Sequence, residues 1–183
     1  MMKKTVCVIG LGYIGLPTAA LLAKKGFFVS GVDTNKEVVK IVNQGEIHIV
    51  ESGLSVVVKS AISSGKLKAF NQIQQSDVYM ICVPTPFRDD GDIPQPNIDY
   101  ILSATKSIAR FIKKDDLIIL ESTSPVGTTE KIYQTLLDCG TDLENVHIAY
   151  CPERVLPGKI MSELVENDRV VGGLTTRSSK EVA

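Results

Sequence analysis

The chain has 183 residues, of which 44% are hydrophobic and 22% are charged, and its formal net charge at pH 7 is −1. This length is enough for one well-filled α/β domain, and the near-neutral charge gives no basic field that would indicate a nucleic-acid partner. The longest apolar runs are only as long as a strand, so we expect no transmembrane helix and no membrane partner. The apolar segment after Met-Met-Lys-Lys is too short for a signal peptide, which predicts a cytoplasmic location.

The first predicted element is a strand at 5–9 that runs directly into a glycine-rich turn, Gly10-Leu-Gly-Tyr-Ile-Gly15. This is the spacing of a dinucleotide-binding fingerprint. Gly10 permits the tight turn, Gly12 lets the backbone approach a pyrophosphate, and Gly15 lets the next helix pack close to the strand. The free backbone N–H groups at the start of that helix, predicted at 13–25, are expected to bind the pyrophosphate. The predicted cofactor residues in this turn are Gly10, Gly12, Tyr13, Ile14 and Gly15.

An acidic residue ends the second predicted strand, at 28–32. The carboxylate of Asp33 is placed to accept hydrogen bonds from both hydroxyls of the adenosine ribose and to repel a 2′-phosphate. Lys36, which we also count among the cofactor-binding residues, softens this repulsion, but there is no arginine nearby. NAD is therefore favoured over NADP. The structural alternative makes Asp33 only a cap for the helix at 35–43, although Thr34 can provide that cap by itself.

Strand and helix signals alternate along the rest of the chain, which predicts a parallel sheet covered by helices on both faces. The further strands are predicted at 67–70, 77–83, 117–120, 146–150 and 169–172. The further helices are predicted at 52–64, 97–112 and 128–138, with a loop at 87–97. The predicted fold is an α/β, Rossmann-type doubly wound parallel sheet in the strand order 3-2-1-4-5-6 plus an extra strand.

Ligands in such a sheet bind beyond the carboxyl ends of the strands. Three further motifs follow predicted strands directly: Pro84–Pro86, Ser122–Pro125 and Cys151–Arg154. We therefore expect them to converge with the glycine turn and Asp33 on one crevice. No metal site and no disulfide are predicted, because none of the four cysteines lies in a Cys-x-x-Cys pair or near a histidine at metal-ligand spacing.

Four strand-end motifs resemble those of the nucleotide-sugar dehydrogenases, the family that includes UDP-glucose and GDP-mannose 6-dehydrogenases. The matching stretches are Gly10-Leu-Gly-Tyr-Ile-Gly-Leu-Pro17, Val83-Pro-Thr-Pro86, Glu121-Ser-Thr-Ser-Pro-Val-Gly127 and Cys151-Pro-Glu-Arg-Val-Leu-Pro-Gly158. The resemblance covers nearly all of the chain. Within the family, the segments 45–51, 151–158 and 166–173 are most similar to the branch that acts on UDP-N-acetyl-D-mannosamine.

The resemblance implies a two-step, NAD-dependent oxidation of the sugar 6-hydroxyl to a carboxylate, with the aldehyde held on a cysteine. It assigns the handling of water and protons to Thr123 and Glu153, a pairing that suits the chemistry because a hydroxyl can orient water and a carboxylate can take its proton. It also places both residues on the cofactor side, together with Pro84 and Thr85. The structural alternatives are that Thr123 only caps the next helix and that Glu153 only pairs with Arg154 or Arg169.

The resemblance also bears on the substrate. UDP-glucose 6-dehydrogenases often have Phe directly after the Pro-Glu pair and a second glutamate four residues after the first, where this chain has Arg154 and Pro157. These departures imply a UDP-N-acetylamino sugar as substrate and UDP-N-acetylmannosaminuronate as product. The implied substrate-side residues are Arg154, Val155, Leu156 and Pro157.

The family's catalytic cysteine lies in a Gly-Gly-His-Cys stretch that does not occur here. We therefore expect residues 1–177 to be the NAD-binding domain of a larger, homodimeric enzyme and 178–183 to begin a truncated interdomain and dimerisation helix. The chain by itself is expected to bind NAD without turning over a sugar. The alternatives are a dehydrogenase for UDP-N-acetylglucosamine or UDP-glucose, a domain like those of the 6-phosphogluconate and β-hydroxyacid dehydrogenases, and a non-catalytic NAD-sensing module.

Overall fold

The structure is a computed structural model that describes residues 4–88 and 94–183. The strands are β1 (Thr5–Ile9), β2 (Phe28–Val32), β3 (Leu67–Phe70), β4 (Val78–Ile81), β5 (Phe87–Arg88), β6 (Gln95–Pro96), β7 (Leu117–Leu120), β8 (His147–Tyr150) and β9 (Gly172–Gly173). The helices are α1 (Gly15–Lys24), α2 (Lys36–Asn43), α3 (Leu54–Ser63), α4 (Asp99–Ile108), α5 (Thr128–Asp138), α6 (Ile160–Glu166) and α7 (Thr176–Val182), and a 3-10 turn covers Ala109–Phe111.

Seven strands form one central sheet in the order β3-β2-β1-β4-β7-β8-β9. All of its pairings are parallel except the last, in which β9 runs antiparallel to β8. Counted within this sheet alone, the order is 3-2-1-4-5-6 with a seventh strand at the edge, so the predicted fold and strand order are confirmed. The winding reverses between β1 and β4, and such a reversal opens a crevice at the carboxyl ends of these two strands.

Helices cover both faces of the sheet because successive strand side chains point to opposite sides. On β1, Val6 and Val8 face a core layer that they share with α1, α2 and α3. Cys7 and Ile9 face a second layer, which they share with α4 and α5. The strands are therefore apolar on both sides, as expected for a buried parallel sheet. Every helix in the described part of the chain is too short or too polar to span a bilayer.

Two helix starts differ from the prediction because a neighbouring side chain provides the cap. Asn35, not Thr34, caps α2, and its side-chain oxygen accepts a hydrogen bond from the backbone N–H of Glu37 at 2.9 Å. Thr175 caps the last helix through a 3.0 Å bond from the N–H of Ser178, so this helix begins at Thr176 rather than at 178.

Three further segments differ from the prediction. Helix α6 was not predicted, and the last strand covers Gly172–Gly173 rather than 169–172. Phe87–Arg88 and Gln95–Pro96 form a short antiparallel pair in the stretch that was predicted as a loop, and positions 89–93 of that stretch lie outside the described residues. The last strand depends on pairing with β8, more than twenty residues earlier in the chain, and local sequence patterns do not carry such pairing.

The glycine turn is packed between the start of α1 and the end of β4. Gly10 has a φ of +93°, a conformation that residues with a side chain rarely adopt. A Cβ at this position would also lie 2.5 Å from the carbonyl oxygen of Cys82. A Cβ on Gly15 would lie 1.8 Å from the carbonyl oxygen of Gly10. The backbone therefore approaches itself closely at both positions, and this approach fixes the direction in which α1 leaves β1.

We expect Gly15→Ala to lower the free energy of unfolding by about 1–3 kcal/mol, because the new methyl group must displace backbone atoms in a packed turn. Gly12→Ala is the matched control, since a Cβ at Gly12 meets nothing within 4 Å and should change stability by less than about 0.5 kcal/mol. Urea unfolding followed by circular dichroism measures both. Equal stabilities of the two variants would contradict the close approach.

Candidate functional site

A cleft of about 1460 Å³ lies at the carboxyl ends of the central strands. The predicted cofactor residues that line it are Gly10, Gly12, Tyr13, Ile14, Asp33 and Pro84. Gly15 is buried behind them and acts through its packing against Gly10. The cleft continues along α4, where Tyr100 and Ser103 line it.

The start of α1 leaves room and hydrogen-bond donors for an anionic group. Ile14 at its N-cap position makes no side-chain capping bond, and the first turn has no acidic residue. The first N–H groups of a helix have no partner within the helix, and the helix dipole favours negative charge at this end. A Cβ on Gly12 would meet nothing within 4 Å, so the turn before this helix is open to a ligand. The turn therefore fits the pyrophosphate of a dinucleotide.

The carboxylate of Asp33 joins the glycine turn to the start of α2. One oxygen accepts a hydrogen bond from the backbone N–H of Leu11 at 3.0 Å, and the other accepts from the N–H of Asn35 at 2.9 Å. A carboxylate has about four acceptor positions, so two bonds leave capacity for two ribose hydroxyls. Asp33 is thus fixed in direction at the cleft, while the capping of α2 falls to Asn35.

A smaller cavity of about 260 Å³ adjoins this cleft and shares four lining residues with it: Ile14, Cys82, Val83 and Pro84. Its other walls bring together the predicted residues Thr85, Thr123, Glu153 and Val155. These four residues come from three loops that follow β4, β7 and β8. The hydroxyl of Ser122 ties two of the loops together by donating to the carbonyl oxygen of Val83 at 2.8 Å.

Thr123 does not cap the helix that follows it, because α5 begins at Thr128 and its N-cap residue is Gly127. The structural alternative for Thr123 is therefore wrong. Its exposed side chain lies instead at the wall of the smaller cavity, opposite the loop that carries Glu153. A hydroxyl in this position can hold a water molecule or a substrate oxygen.

Glu153 takes part in a buried ion-pair network. Its Oε2 atom pairs with the guanidinium of Arg169, which also donates to Oε1 of Glu121 at 2.5 Å. The Oε1 atom of Glu153 accepts the backbone N–H of Arg154 at 2.7 Å. The pairing with Arg169, predicted as the structural alternative for Glu153, is thus present, and Arg154 contributes its backbone N–H. Because both carboxylate oxygens are held, the direction of the Glu153 side chain is fixed.

Sequence reasoning missed the rest of this network. The thiol of Cys82 donates to Oε2 of Glu121 at 3.0 Å. Burial, together with the charge and hydrogen bond of Glu121, raises the pKa of Cys82 well above its usual range, so this sulfur is a neutral donor rather than a nucleophile. A signal was available: Glu121 directly follows a buried strand, and a buried carboxylate requires a cation or several donors.

The pKa of Arg169 is set by opposing effects of burial and of its partners. Burial by itself lowers the pKa of its guanidinium, but hydrogen bonds to Cys151 and Glu121 and the negative charge of Glu121 raise the pKa above its ordinary value. Arg169 therefore carries its positive charge at neutral pH.

The backbone that directly follows the substrate-side segment is held by Glu51, a buried residue. Its carboxylate accepts hydrogen bonds from the backbone N–H groups of Gly158 at 2.8 Å and Ile160 at 3.0 Å. Of the substrate-side residues 154–157, Val155 lines the smaller cavity. The predicted site residues that lie outside both cavities and are exposed are Lys36, Arg154, Leu156 and Pro157.

Comparison with known proteins places this geometry in a family. The model of the UDP-glucose/GDP-mannose dehydrogenase family, NAD-binding domain, matches residues 4–183. Over 184 aligned positions the chain is 51% identical to the UDP-N-acetyl-D-mannosamine dehydrogenase of Campylobacter jejuni, covering 96% of this chain and 45% of that protein. Over 186 positions it is 46% identical to the NDP-N-acetyl-D-galactosaminuronic acid dehydrogenase of Ralstonia solanacearum, covering 97% of this chain and 43% of that protein.

A solved structure agrees with the sequence match. The UDP-N-acetyl-mannosamine dehydrogenase Cap5O from Staphylococcus aureus superposes with a TM-score of 0.90 at 41% identity, over 96% of this chain and 42% of that chain. The chain therefore spans less than half the length of the relatives that it matches.

We expect the chain to bind NAD more tightly than NADP, because the charge of Asp33 opposes a 2′-phosphate. Asp33→Asn should narrow this preference by about tenfold or more, since hydrogen bonds to a charged group contribute about 1.5–3 kcal/mol. Calorimetric titration measures both affinities. Glu37→Gln, an exposed charge change on α2, is the matched control, and Gly12→Val, which fills the pyrophosphate position, is the control that lacks binding. Equal or tighter binding of NADP by the unchanged chain would contradict the role of Asp33.

Proposed function

The chain belongs to the UDP-glucose/GDP-mannose dehydrogenase family as its NAD-binding domain, and we propose that it is the cofactor half of a UDP-N-acetyl-D-mannosamine 6-dehydrogenase. The complete protein oxidises the sugar 6-hydroxyl to a carboxylate in two NAD-dependent steps, giving UDP-N-acetylmannosaminuronate. The observation that carries this proposal is the shared wall between the NAD cleft and the cavity of Thr123 and Glu153.

Bound NAD supplies the hydride acceptor for both steps. The start of α1 holds its pyrophosphate, and Asp33 accepts the hydroxyls of its adenosine ribose. Pro84 lines both cavities and Thr85 lines the smaller one. These two residues would hold the cofactor on the side that faces Thr123 and Glu153, which line the smaller cavity.

Thr123 and Glu153 act on water in the last step of the proposed reaction. The acyl group is held on a cysteine supplied from outside these 183 residues. Thr123 orients a water molecule whose oxygen bonds to the acyl carbon, Glu153 receives the proton that the water loses, and the carbon–sulfur bond breaks to release a thiolate and the sugar carboxylic acid. A carboxylate already fixed in direction suits this task, because general-base catalysis requires hydrogen-bond reach to the water.

An N-acetylamino sugar is the substrate class we favour. The two relatives described above are named for N-acetylmannosamine and N-acetylgalactosaminuronic acid chemistry, and the segment 154–157 departs from the UDP-glucose pattern. The N-acetylamino sugar with the galacto configuration is the second candidate, supported by the Ralstonia solanacearum relative. We further propose a cytoplasmic homodimer in which residues from α7 onward link this domain to the remainder of the enzyme.

The complete protein is expected to form two NADH per molecule of UDP-N-acetylmannosamine, because the change from alcohol to carboxylate removes four electrons. The 183-residue chain alone should bind NAD and form none. Absorbance of NADH measures both, with the UDP-linked N-acetylamino sugar of galacto configuration and UDP-glucose as comparison substrates. Faster turnover of UDP-glucose would contradict the substrate class, and turnover by the chain alone would contradict the assignment of the thiol to another part of the protein.

Restoring the UDP-glucose pattern with Arg154→Phe and Pro157→Glu should shift the ratio of kcat/KM for UDP-glucose over UDP-N-acetylmannosamine upward by about tenfold, the size of effect that a few pocket contacts produce. The fold should tolerate the change, because both side chains are exposed and the Arg154 guanidinium donates to a backbone oxygen, that of Asp168. Leu137→Ala, on the exposed face of α5, is the control. An unchanged ratio would remove this segment from substrate selection.

A further inference from the structure

Arg169 lies between the buried carboxylates of Glu121 and Glu153, and both of these glutamates line the smaller cavity. We infer that Arg169 and Glu121 are positioning residues, which hold the Glu153 carboxylate in the direction that its reaction with water requires. The inference rests on the proposed function, because it gives Glu153 that role. Arg169 and Glu121 act through Glu153 and not on the reacting atoms themselves.

The strand topology brings these three residues together. Glu121 follows β7 directly and Glu153 follows β8 by three residues. Strand β9 is antiparallel to β8 and pairs Gly172 with Tyr150. The residues before β9 therefore lie beside the carboxyl end of β8, where the residues after β8 also lie. Arg169, three residues before Gly172, is thereby placed opposite Glu153. A seventh strand parallel to the others would have put this arginine at the amino ends of the strands, away from Glu153.

Burial makes the network a strong constraint on geometry. The side chain of Glu121 is 0% exposed, that of Glu153 is 2% exposed and that of Arg169 is 30% exposed. The other titratable groups that face the network are the thiols of Cys82, which donates to Glu121, and of Cys151, which accepts from Arg169. Removing the guanidinium leaves two buried carboxylates of like charge without their shared cation, and they must then separate, take up a proton or gain further hydration.

Each member has a separate task in this account. The planar guanidinium presents Nη1 to Glu153 and Nη2 to Glu121, a fork that a lysine ammonium cannot reproduce. Glu121 holds the second nitrogen and so fixes the plane of the fork. Glu153 then has one oxygen on Arg169 and the other on the N–H of Arg154, which leaves its remaining lone pairs directed by the network.

The test uses the complete protein with four variants: Arg169→Gln, Arg169→Lys, Glu121→Gln and the double variant Arg169→Gln/Glu121→Gln. Arg177→Gln is the matched control, since Arg177 is an exposed arginine that contacts Asn145 and Asp115 at the surface. Steady-state kinetics give kcat and KM for UDP-N-acetylmannosamine, calorimetry gives the NAD dissociation constant, and thermal unfolding reports on folding.

We expect Arg169→Gln to lower kcat by about 100-fold, within the range that a positioned acid–base group contributes, while KM and NAD affinity change by less than about twofold. Arg169→Lys should recover part of the loss, because it keeps the charge but not the fork. The double variant should exceed Arg169→Gln in kcat by about tenfold, since only one buried carboxylate then remains unpaired. The double variant also keeps the test decisive if Arg169→Gln fails to fold.

The outcomes separate the inference from the function on which it rests. If the unchanged protein oxidises no nucleotide sugar, the proposed function is wrong and the inference is wrong with it. If the unchanged protein is active and Arg169→Gln keeps its kcat, the inference alone is wrong. A loss in NAD affinity or KM as large as the loss in kcat, or a double variant no faster than Arg169→Gln, also overturns it, because either result means general damage rather than positioning.

Discussion

The contact between the glycine turn and the end of β4 determines where both cavities lie. The turn can enter only because Gly10 and Gly15 lack side chains, and the carbonyl oxygen of Cys82 fills the space that a Cβ on Gly10 would take. This contact joins β1 to β4 at the point where the winding reverses. Gly10 lines the cofactor cleft and Cys82 lines both cavities, so a shift of this turn would move both.

The cofactor half of the site follows from sequence more fully than the half around Glu153. The glycine turn, Asp33 and the strand ends depend on local order along the chain, and parallel sheets bring strand ends together whatever the intervening loops contain. The pairing of Glu121 with Arg169 spans 48 residues and depends on a two-residue antiparallel strand, which has no periodic signal of its own. The cap at Asn35 was missed for a smaller reason, since Thr34 and Asn35 are both good capping residues one position apart.

The two halves of the site also differ in what holds them. Backbone groups and open space define the cofactor cleft, where one carboxylate, Asp33, orients the approach. Buried charges define the smaller cavity. Paired charges of this kind add little net stability, because desolvation offsets most of their attraction, but they restrict the directions that the side chains can take. The charged residues around Glu153 therefore contribute more to fixing the direction of its side chain than to the stability of the fold.

Glu51 has a consequence for the order in which the domain is assembled during folding. Its carboxylate contacts backbone groups that are 107 and 109 residues away along the chain, so closing this contact requires almost the whole sheet to be in place, and such distant contacts form slowly. The glycine turn and Asp33 are only 22 residues apart where they meet. In a nascent chain, the glycine turn and Asp33 can therefore meet before the segment after β8, which docks on Glu51, has been synthesised. Early NAD binding would then stabilise the half-built sheet onto which that segment later folds.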